Sequence, residues 1–289
     1  MLISLRHITC IFVAILLIGC LTSCQSWREA KTVVEEADSL LVHKKTILRD
    51  TAALNYAINT LDGPLGHIFA RNELAKAYYF MGRNFYYAND FATAAEYYIL
   101  CDRMNPSDSM YKGRINSCMG FICKQDSCFE EALEFYQRSS CAFKESGSEW
   151  YYAHNLVNVA EQYVNLREYA KADSVLDIAN NYDIDSAYYA RIVDVRALAL
   201  FNQQLYDSAL SYLLEIKECP RNIEARCYSY KIIMRCYYDI DKIDLAIPYA
   251  EYIIQKSINL NYLSSTYCIL LSSVRCSSDI NTLIEYSND

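Results

Sequence analysis

The sequence predicts an all-α fold of antiparallel helix pairs, and three observations support that prediction. First, the 289 residues are 53% hydrophobic, enough to bury a core, yet they include only seven Gly and four Pro, which is few for a loop-rich fold. Second, no runs of alternating apolar and polar residues lie between clusters of turn residues, as strands would require. Third, one helix–turn–helix pattern recurs five times. The sequence therefore argues against a sheet protein and against a disordered chain.

The clearest copy of this pattern spans residues 78–106. Two apolar stripes with helical spacing meet at Asn89-Asp90, which favours a tight turn, and the terminal proline ends the second helix. Gly82 and Ala94 stand where we expect the two helix backbones to approach closely. The large residues expected to fill the seam between the helices are Tyr78, Met81, Phe85, Phe91 and Tyr98. This segment predicts one antiparallel helix pair.

The same pairing of a large residue with an alanine three positions later returns in a constant phase. The five copies are Phe91/Ala94, Phe129/Ala132, Tyr169/Ala172, Tyr206/Ala209 and Ile243/Ala246. Nine residues before each large residue stands a close-packing position of the preceding helix, occupied by Gly82, Gly120, Ala160, Ala197 and Met234. Five matches in one phase predict five successive helix pairs.

These repeats resemble the tetratricopeptide repeat (TPR), a helix–turn–helix unit with small residues at fixed positions and a terminal proline. The resemblance is strong from about Leu65 to Ser257 and weak in the flanks. It implies a right-handed superhelix (α-solenoid) in which the first helices of successive repeats line a concave groove. The steps of 37 to 40 residues exceed the usual length of about 34 residues. We therefore expect longer helices or loops between repeats.

The segments around the repeats complete the predicted domain organisation. Residues 24–64 carry two amphipathic helices, from Trp27 to Leu41 and from about Thr51 to Leu61, which we expect to cap the first repeat. Residues 65–257 carry the five TPR-like repeats. Residues 258–289 carry apolar helical segments that we expect to cap the last repeat.

Residues 1–23 are predicted to be a lipoprotein signal peptide. A short polar start precedes the apolar run from Ile8 to Ile18, which is too short to span a membrane. The sequences LIGC and LTSC that follow resemble the lipobox of bacterial lipoproteins, which implies lipidation of the cysteine and cleavage before it. We favour Cys24, because Gln25-Ser26 begins a polar tether, with Cys20 as the alternative. An uncleaved anchor and an ordinary secretory signal remain open.

A lipoprotein of this kind would be held in the bacterial cell envelope and would face the periplasm or the cell surface. Its acyl chains would form a stable anchor. Gln25 takes the place of the aspartate that favours inner-membrane retention, so the resemblance favours the outer membrane. No hydrophobic run of 18 or more residues follows the signal segment, and the sequence predicts no membrane helix at the C-terminus.

The sequence offers no catalytic constellation. Only His43, His67 and His154 follow the signal segment, and no nucleophile-elbow, zinc-protease, Walker or dinucleotide-binding motif occurs. We therefore expect no enzyme activity, no cofactor and no metal site. The net charge of −8 without a long basic run argues against nucleic-acid binding.

The cysteines leave several possibilities open. Cys118, Cys123 and Cys128 are spaced C-x4-C-x4-C, but no C-x2-C pair or downstream histidine pair completes a zinc site. Packing in helices and turns is the favoured interpretation, with a disulfide or a metal site as alternatives. An envelope location permits disulfides, and spacing alone does not decide the redox state of the ten cysteines after Cys24.

The TPR resemblance also implies which side chains line the groove, namely the second, fifth, ninth, twelfth and thirteenth of each repeat. Across the five repeats these positions hold seven Lys or Arg and three acidic residues. A positive groove with aromatic rings suits an acidic or extended peptide, through charge-assisted hydrogen bonds and cation–π contacts. The alternative is an ordinary solvated helix face. The candidate residues are Lys76, Tyr79, Arg83, Tyr86, Arg114, Phe121, Lys124, Arg191, Lys231, Arg235 and Tyr238.

Together these features favour a non-catalytic scaffold that is anchored in the bacterial envelope and binds a protein or peptide segment in its groove. One alternative is a sensor or regulatory input domain that acts through a membrane partner. Another is a nutrient-binding lipoprotein that captures a sugar or peptide for a transporter. Because fold does not determine the partner, the sequence leaves the pathway open.

Overall fold

The computed structural model describes residues 24–39, 51–219, 221–257 and 260–276. The predicted signal peptide, the alternative lipidation site Cys20 and the chain after Cys276 lie outside these residues. Within the described ranges the secondary structure is helical and no strand occurs. The all-α prediction is confirmed.

Fourteen helices are present in the described residues. They are α1 (residues 24–39), α2 (Thr51–Leu61), α3 (Gly66–Phe69), α4 (Arg71–Tyr87), α5 (Phe91–Arg103), α6 (Ser109–Gln125), α7 (Phe129–Glu145), α8 (Glu149–Asn165), α9 (Tyr169–Ala179), α10 (Ser186–Asn202), α11 (Tyr206–Glu215), α12 (Ile223–Asp239), α13 (Ile243–Lys256) and α14 (Leu260–Cys276).

The chain forms two compact units. Unit 1 contains the described residues up to Asp126 together with Cys141–Gly147. Unit 2 contains Ser127–Ser140 and the described residues from Ser148 onward. Helix α7 contributes to both units, and each unit is described separately below.

The predicted first and second helices alternate along the chain. The first helices, α4, α6, α8, α10 and α12, are each 17 residues long. The second helices, α5, α7, α9, α11 and α13, each begin at the large residue that the sequence pattern marks. Helix α14 is also 17 residues long, so the pattern extends by one first helix into the segment expected to cap the repeats.

The alanines of the repeat pattern are core residues. Ala94, Ala132, Ala172, Ala209 and Ala246 are between 0% and 3% exposed. A methyl group at this position lets the second helix lie close to the first without leaving a cavity. The prediction that these alanines pack between paired helices is therefore consistent with their complete burial.

Gly82 differs from the expectation of close backbone contact. A Cβ built on Gly82 would lie 2.7 Å from the ring of Tyr98, so the glycine makes room for a side chain of the second helix. The Tyr98 side chain is fully buried. The small residue in α4 is thus explained by an aromatic ring rather than by the approach of two backbones.

A shared turn joins the paired helices. In each of the five turns, the residue two positions before the second helix has a left-handed backbone, with φ between 60° and 63° at Asn89, Ser127, Arg167, Gln204 and Asp241. In the first pair, the amide of Asp90 donates to the carbonyl of Phe85, and the amide of Asn89 donates to that of Tyr86. This is the Schellman arrangement, which satisfies the last carbonyls of a helix and usually uses Gly at the left-handed position.

Helix α1 confirms the predicted apolar stripe but not the polar tether expected at Gln25-Ser26. Ala30, Val34 and Ala37 of α1 are buried, as expected. The described part of α1 already includes residue 24, and the side-chain amide of Gln25 donates to the Glu29 carboxylate one turn later. The expectation of a polar tether at Gln25-Ser26 is therefore wrong, because both residues belong to helix α1. The short helix α3 was not predicted.

Candidate partner-binding faces

The predicted groove residues lie on the first helices, and their surroundings can be compared unit by unit. We call the side chains at the predicted groove positions of α4 and α6 the unit 1 face, and those of α8, α10 and α12 the unit 2 face. Because each first helix has the same length and the same turn after it, equivalent positions recur in register along the chain. The chemistry at these positions differs between the two units.

On the unit 1 face, Lys76 is compensated by a carboxylate of the N-terminal helix. Its Nζ lies 2.5 Å from Asp38 Oδ2 and 5.2 Å from the centre of the Tyr111 ring. The Tyr111 hydroxyl donates to the other carboxylate oxygen of Asp38 at 2.6 Å. Burial alone would raise the pKa of Asp38, but the hydrogen bonds from Lys76 and Tyr111 outweigh it and lower that pKa. Lys76 therefore serves an internal ion pair.

Aromatic rings dominate the rest of the unit 1 face. Tyr79 is only 3% exposed, so its side chain belongs to the core rather than to the surface. Tyr86 stacks edge-on against Phe91 and Phe121, with ring centres 5.7 and 5.3 Å apart. Such edge-to-face contacts hold the rings in fixed orientations. Both Tyr86 and Phe121 remain partly exposed.

Cations border these rings. Arg83 donates to the Tyr87 hydroxyl at 2.9 Å, and its guanidinium lies 5.1 Å from the centre of that ring. Lys124 lies 5.7 Å from the centre of the Phe121 ring, and Arg114 lies 5.8 Å from the centre of the Tyr111 ring. None of the ion pairs in the described residues contains Arg83. Arg83 therefore presents a positive charge without a carboxylate partner.

On the unit 2 face, Arg191 is engaged by polar side chains of the preceding first helix. Its Nη2 donates to Glu161 Oε2 at 3.0 Å and to Asn158 Oδ1 at 3.1 Å. The Glu161 side chain is only 9% exposed. The predicted groove cation is therefore neutralised by a predicted groove acid one repeat earlier. This pair reduces the net positive charge expected from the sequence.

A second charge pair in unit 2 is buried and was missed by sequence reasoning. Asp194 and Arg221 have side chains that are 3% and 2% exposed, with 3.2 Å between Oδ2 and Nη1. The Ser229 hydroxyl donates to Asp194, and Arg221 also donates to the Ile216 carbonyl at 3.3 Å. Burial raises the pKa of Asp194 to about 6, although the contacts with Ser229 and Arg221 act in the opposite direction.

Arg221 escaped prediction because it lies outside the repeat pattern. It stands in the connection between α11 and α12, directly after Pro220, where the helical register assigns no role to a side chain. Its separation of 27 residues from Asp194 matches neither a helical period nor a repeat step. A charged residue in a join between repeats was the only available signal.

Lys231 and Arg235 form the remaining positive part of the unit 2 face. They lie one turn apart on α12, with Lys231 5.3 Å from the centre of the Tyr262 ring and Arg235 4.7 Å from that of Phe201. Burial and the charge of Arg235 lower the pKa of Lys231. Neither cation belongs to an ion pair among the described residues. Tyr238, three residues beyond Arg235, is partly exposed.

A pocket in unit 2 lies away from the predicted face. It has a volume of about 320 Å³ and lies among α9, α10 and α11. Its polar lining includes Asp173, Asp177, Arg196 and Gln203. Arg196 already pairs with Asp177, so the polar groups of the pocket are partly satisfied by one another.

The described residues show no grouping of side chains suited to metal binding. No cluster of three His, Cys, Asp or Glu side chains could hold an ion there. Burial lowers the pKa of His154, which lies against the ring of Trp150 with centres 4.1 Å apart. This histidine is therefore packed as a neutral ring.

The structure shows the burial of the cysteines and whether they form disulfides. Among the described residues, no disulfide joins the cysteines from Cys24 to Cys268. Cys118 and Cys123 are partly buried, and Cys128 is exposed in the turn before α7. Cys118, Cys123 and Cys128 are therefore not joined to one another by a disulfide. None of the described helices has both the length and the apolar character needed to cross a membrane.

Comparison with solved structures identifies proteins that share this fold. No family model and no curated protein matches the sequence. Among solved structures, the apo form of the quorum sensor NprR from B. thuringiensis superposes with a TM-score of 0.66 at 10% identity, covering 87% of this chain and 71% of NprR. PilF from Pseudomonas aeruginosa gives a TM-score of 0.49 at 15% identity, covering 82% and 97% of the two chains. The likeness to NprR and the repeated helix pairs show a TPR-like all-α solenoid fold.

Proposed function

We propose that this protein is a non-catalytic scaffold of the bacterial cell envelope, anchored through a lipid on Cys24, that binds an acidic protein segment. TPR-like arrays present extended helix faces to other proteins, and this use requires no catalytic residue. The observation that carries the proposal is the set of uncompensated cations beside aromatic rings on the two faces. These cations are Arg83 in unit 1 and Lys231 and Arg235 in unit 2.

Two other predicted groove cations are already neutralised within the protein. Lys76 and Arg191 are held by Asp38 and Glu161, so they serve internal pairs. Lys231, by contrast, is half-buried beside another cation, and its lowered pKa reports the unfavourable solvation of its charge. A partner carboxylate placed between Lys231 and Arg235 would relieve this repulsion through charge-assisted hydrogen bonds.

The aromatic neighbours suit the same partner. Tyr262 and Phe201 offer ring faces to the two cations in unit 2, as Tyr87 does to Arg83 in unit 1. Rigid rings bury contact area at a small cost in conformational entropy, and cations on their faces keep the charge available at the surface. An extended segment with acidic and apolar residues matches both features.

The anchor belongs to the same proposal. Cys24 is exposed at the start of α1, where an acyl group can be attached without disturbing the core. The lipobox-like sequence before it supplies the chemical reason for choosing this cysteine. Mass spectrometry of the N-terminal peptide tests it: a diacyl- or triacyl-modified Cys24 is expected, and an unmodified or signal-bearing N-terminus would contradict it.

Capture from the native envelope after mild crosslinking tests the binding face. The test variant is Lys231→Glu with Arg235→Glu, and the matched control is Lys242→Glu with Lys256→Glu, which changes the net charge equally on exposed residues of the α12–α13 turn and the end of α13. We expect wild type and control to recover the same partner and the test variant to lose it. Equal recovery by all three proteins would overturn the assignment of the face.

A further inference from the structure

Unit 1 exposes a compact apolar patch on the short helix that precedes α4. Leu65, Ile68 and Phe69 are 62%, 69% and 68% exposed, and we call these three side chains the α3 patch. Single exposed apolar residues are common, but three large ones within five residues are a feature of surfaces that contact another phase or another molecule.

The fold holds the α3 patch outward. Gly66 packs so tightly on the end of α2 that an added Cβ would lie 1.6 Å from the Leu61 carbonyl oxygen. On the same turn, the His67 ring lies 2.7 Å from the Asp62 carboxylate. Glycine is required for this close approach. Because Gly66 is buried against α2, the exposed apolar residues on either side of it face away from the protein.

Two ion pairs place the start of α1 at the same end of unit 1 as the α3 patch. Lys31 pairs with Glu73 at 3.1 Å, and Asp38, further along α1, pairs with Lys76, further along α4. The two helices therefore run in the same direction. Residue 24 lies seven residues before Lys31, about 10 Å along the helix axis, and so projects beyond the start of α4. Helix α3 is joined to α4 at that start.

We infer that the α3 patch contacts the lipid bilayer beside the acylated Cys24 and fixes how unit 1 stands on the membrane. This inference rests on the proposed lipid anchor. Because residue 24 is already part of α1, no flexible linker lies between the acylated cysteine and this helix. The end of unit 1 that carries Cys24 is then held at the headgroup region, where exposed Leu, Ile and Phe side chains are stabilised by burial among acyl chains.

Photocrosslinking in vesicles tests this contact. The full chain, expressed in bacteria with p-benzoylphenylalanine in place of Phe69, is reconstituted in vesicles of phosphatidylethanolamine and phosphatidylglycerol and irradiated. The control carries the same group in place of Leu205, a 49% exposed residue of unit 2. Both positions are on the surface, so neither replacement disturbs the core. Mass spectrometry measures the phospholipid adducts and, separately, the acylation of the N-terminal peptide.

We expect acylated Cys24 and a yield of lipid adducts at position 69 at least about tenfold above that at position 205. Acylation with equal adduct yields at the two positions would overturn the membrane contact and leave the anchor in place. Absence of acylation would overturn the anchor itself and, with it, this inference. Irradiation in the native envelope that links position 69 to a protein instead of lipid would assign the patch to a protein partner and would also overturn the inference.

Discussion

The faces of unit 1 and unit 2 occupy the same positions of the repeat but are stabilised by different interactions. In unit 1, Tyr86, Phe91 and Phe121 form a cluster of edge-on ring contacts, and the Lys76–Asp38 pair is partly solvated, with side chains 30% and 28% exposed. In unit 2, Asp194 and Arg221 form a charge pair that water scarcely reaches.

This difference shows that the repeat specifies where side chains lie and not how their charges are satisfied. Both compensating groups come from outside the repeat positions: Asp38 from the N-terminal helix and Arg221 from a join between repeats. Removing one partner of a buried ion pair strongly destabilises the folded protein, whereas removing one partner of an exposed pair has little effect on stability. The two faces should therefore respond very differently to matched substitutions.

The largest difference is expected from removing one cation in each unit. Arg221→Ala leaves the buried Asp194 carboxylate without its counter-charge and should lower the free energy of unfolding by about 3–5 kcal/mol. Lys76→Ala removes a partly solvated pair and should lower it by no more than about 1 kcal/mol. Urea denaturation followed by circular dichroism measures both. Equal losses would show that the two pairs are equally solvated.

The pKa values of the two carboxyl groups, Asp194 and Asp38, should be shifted in opposite directions from the ordinary value. Burial raises the pKa of Asp194 to about 6 despite its hydrogen bonds, whereas the hydrogen bonds of Asp38 overcome burial and lower its pKa below 3.8. Carboxyl ¹³C NMR, with Asp→Asn variants for assignment, measures both values. Finding Asp194 ionised at pH 4 would remove this contrast.

The directions of these two pKa shifts determine how each carboxyl group changes the free energy of unfolding with pH. Asp194 binds its proton more tightly in the folded chain, so its contribution to the free energy of unfolding falls as pH rises from about 4 to 6. Asp38 binds its proton less tightly in the folded chain, so its contribution is present above about pH 4 and is lost as pH falls through its lowered pKa. Comparing wild type with Asp194→Asn and with Asp38→Asn across this range checks both slopes.

A smaller effect is expected at the close-packing position of the first helix. Gly82→Ala in unit 1 places a methyl group against the buried Tyr98 ring and should lower the free energy of unfolding by about 1–2 kcal/mol. Unit 2 has the alanine naturally, as Ala160, which is fully buried. Ala160→Gly should therefore also destabilise, by about 1 kcal/mol. A gain in stability from Gly82→Ala would show that the Tyr98 ring moves aside.

The smallest effect is expected at the left-handed turn residues. Gln204→Gly in unit 2 removes the strain of a side chain at φ 63° and should raise the free energy of unfolding by up to about 1 kcal/mol. Asn89→Gly in unit 1 should have almost no effect, because asparagine tolerates this conformation. Thermal melts distinguish the two, and similar shifts would mean that the unit 1 turn is equally strained.

Much of the fold could be predicted from the sequence because packing repeats. Five large residues and five alanines in one phase mark the starts of five second helices, and the structure confirms each of these starts. The turns could not be predicted, because the left-handed position holds Asn, Ser, Arg, Gln or Asp in place of glycine. Helix α3 was also missed, since four residues are too few for a helical period.

The candidate site was predictable in position but not in charge. The repeat register identified Lys231 and Arg235 as neighbours on one face, and their contacts with rings follow from that placement. The register also counted Lys76 and Arg191 as available cations, whereas both are held by carboxylates. Asp38, the partner of Lys76, lies outside the repeats and leaves no periodic trace in the sequence. Glu161, the partner of Arg191, stands at a predicted groove position one repeat earlier, but the register alone does not show that the two side chains pair.

The central claim is that the uncompensated cations of the faces bind an acidic partner. The measurement that tests it most directly is quantitative recovery of the crosslinked partner by Arg83→Glu and by Lys231→Glu with Arg235→Glu, each compared with wild type and with the Lys242→Glu/Lys256→Glu control. We expect full recovery by the control, a partial loss for the single reversal in unit 1 and a nearly complete loss for the double reversal in unit 2. Unchanged recovery by both face variants would contradict it.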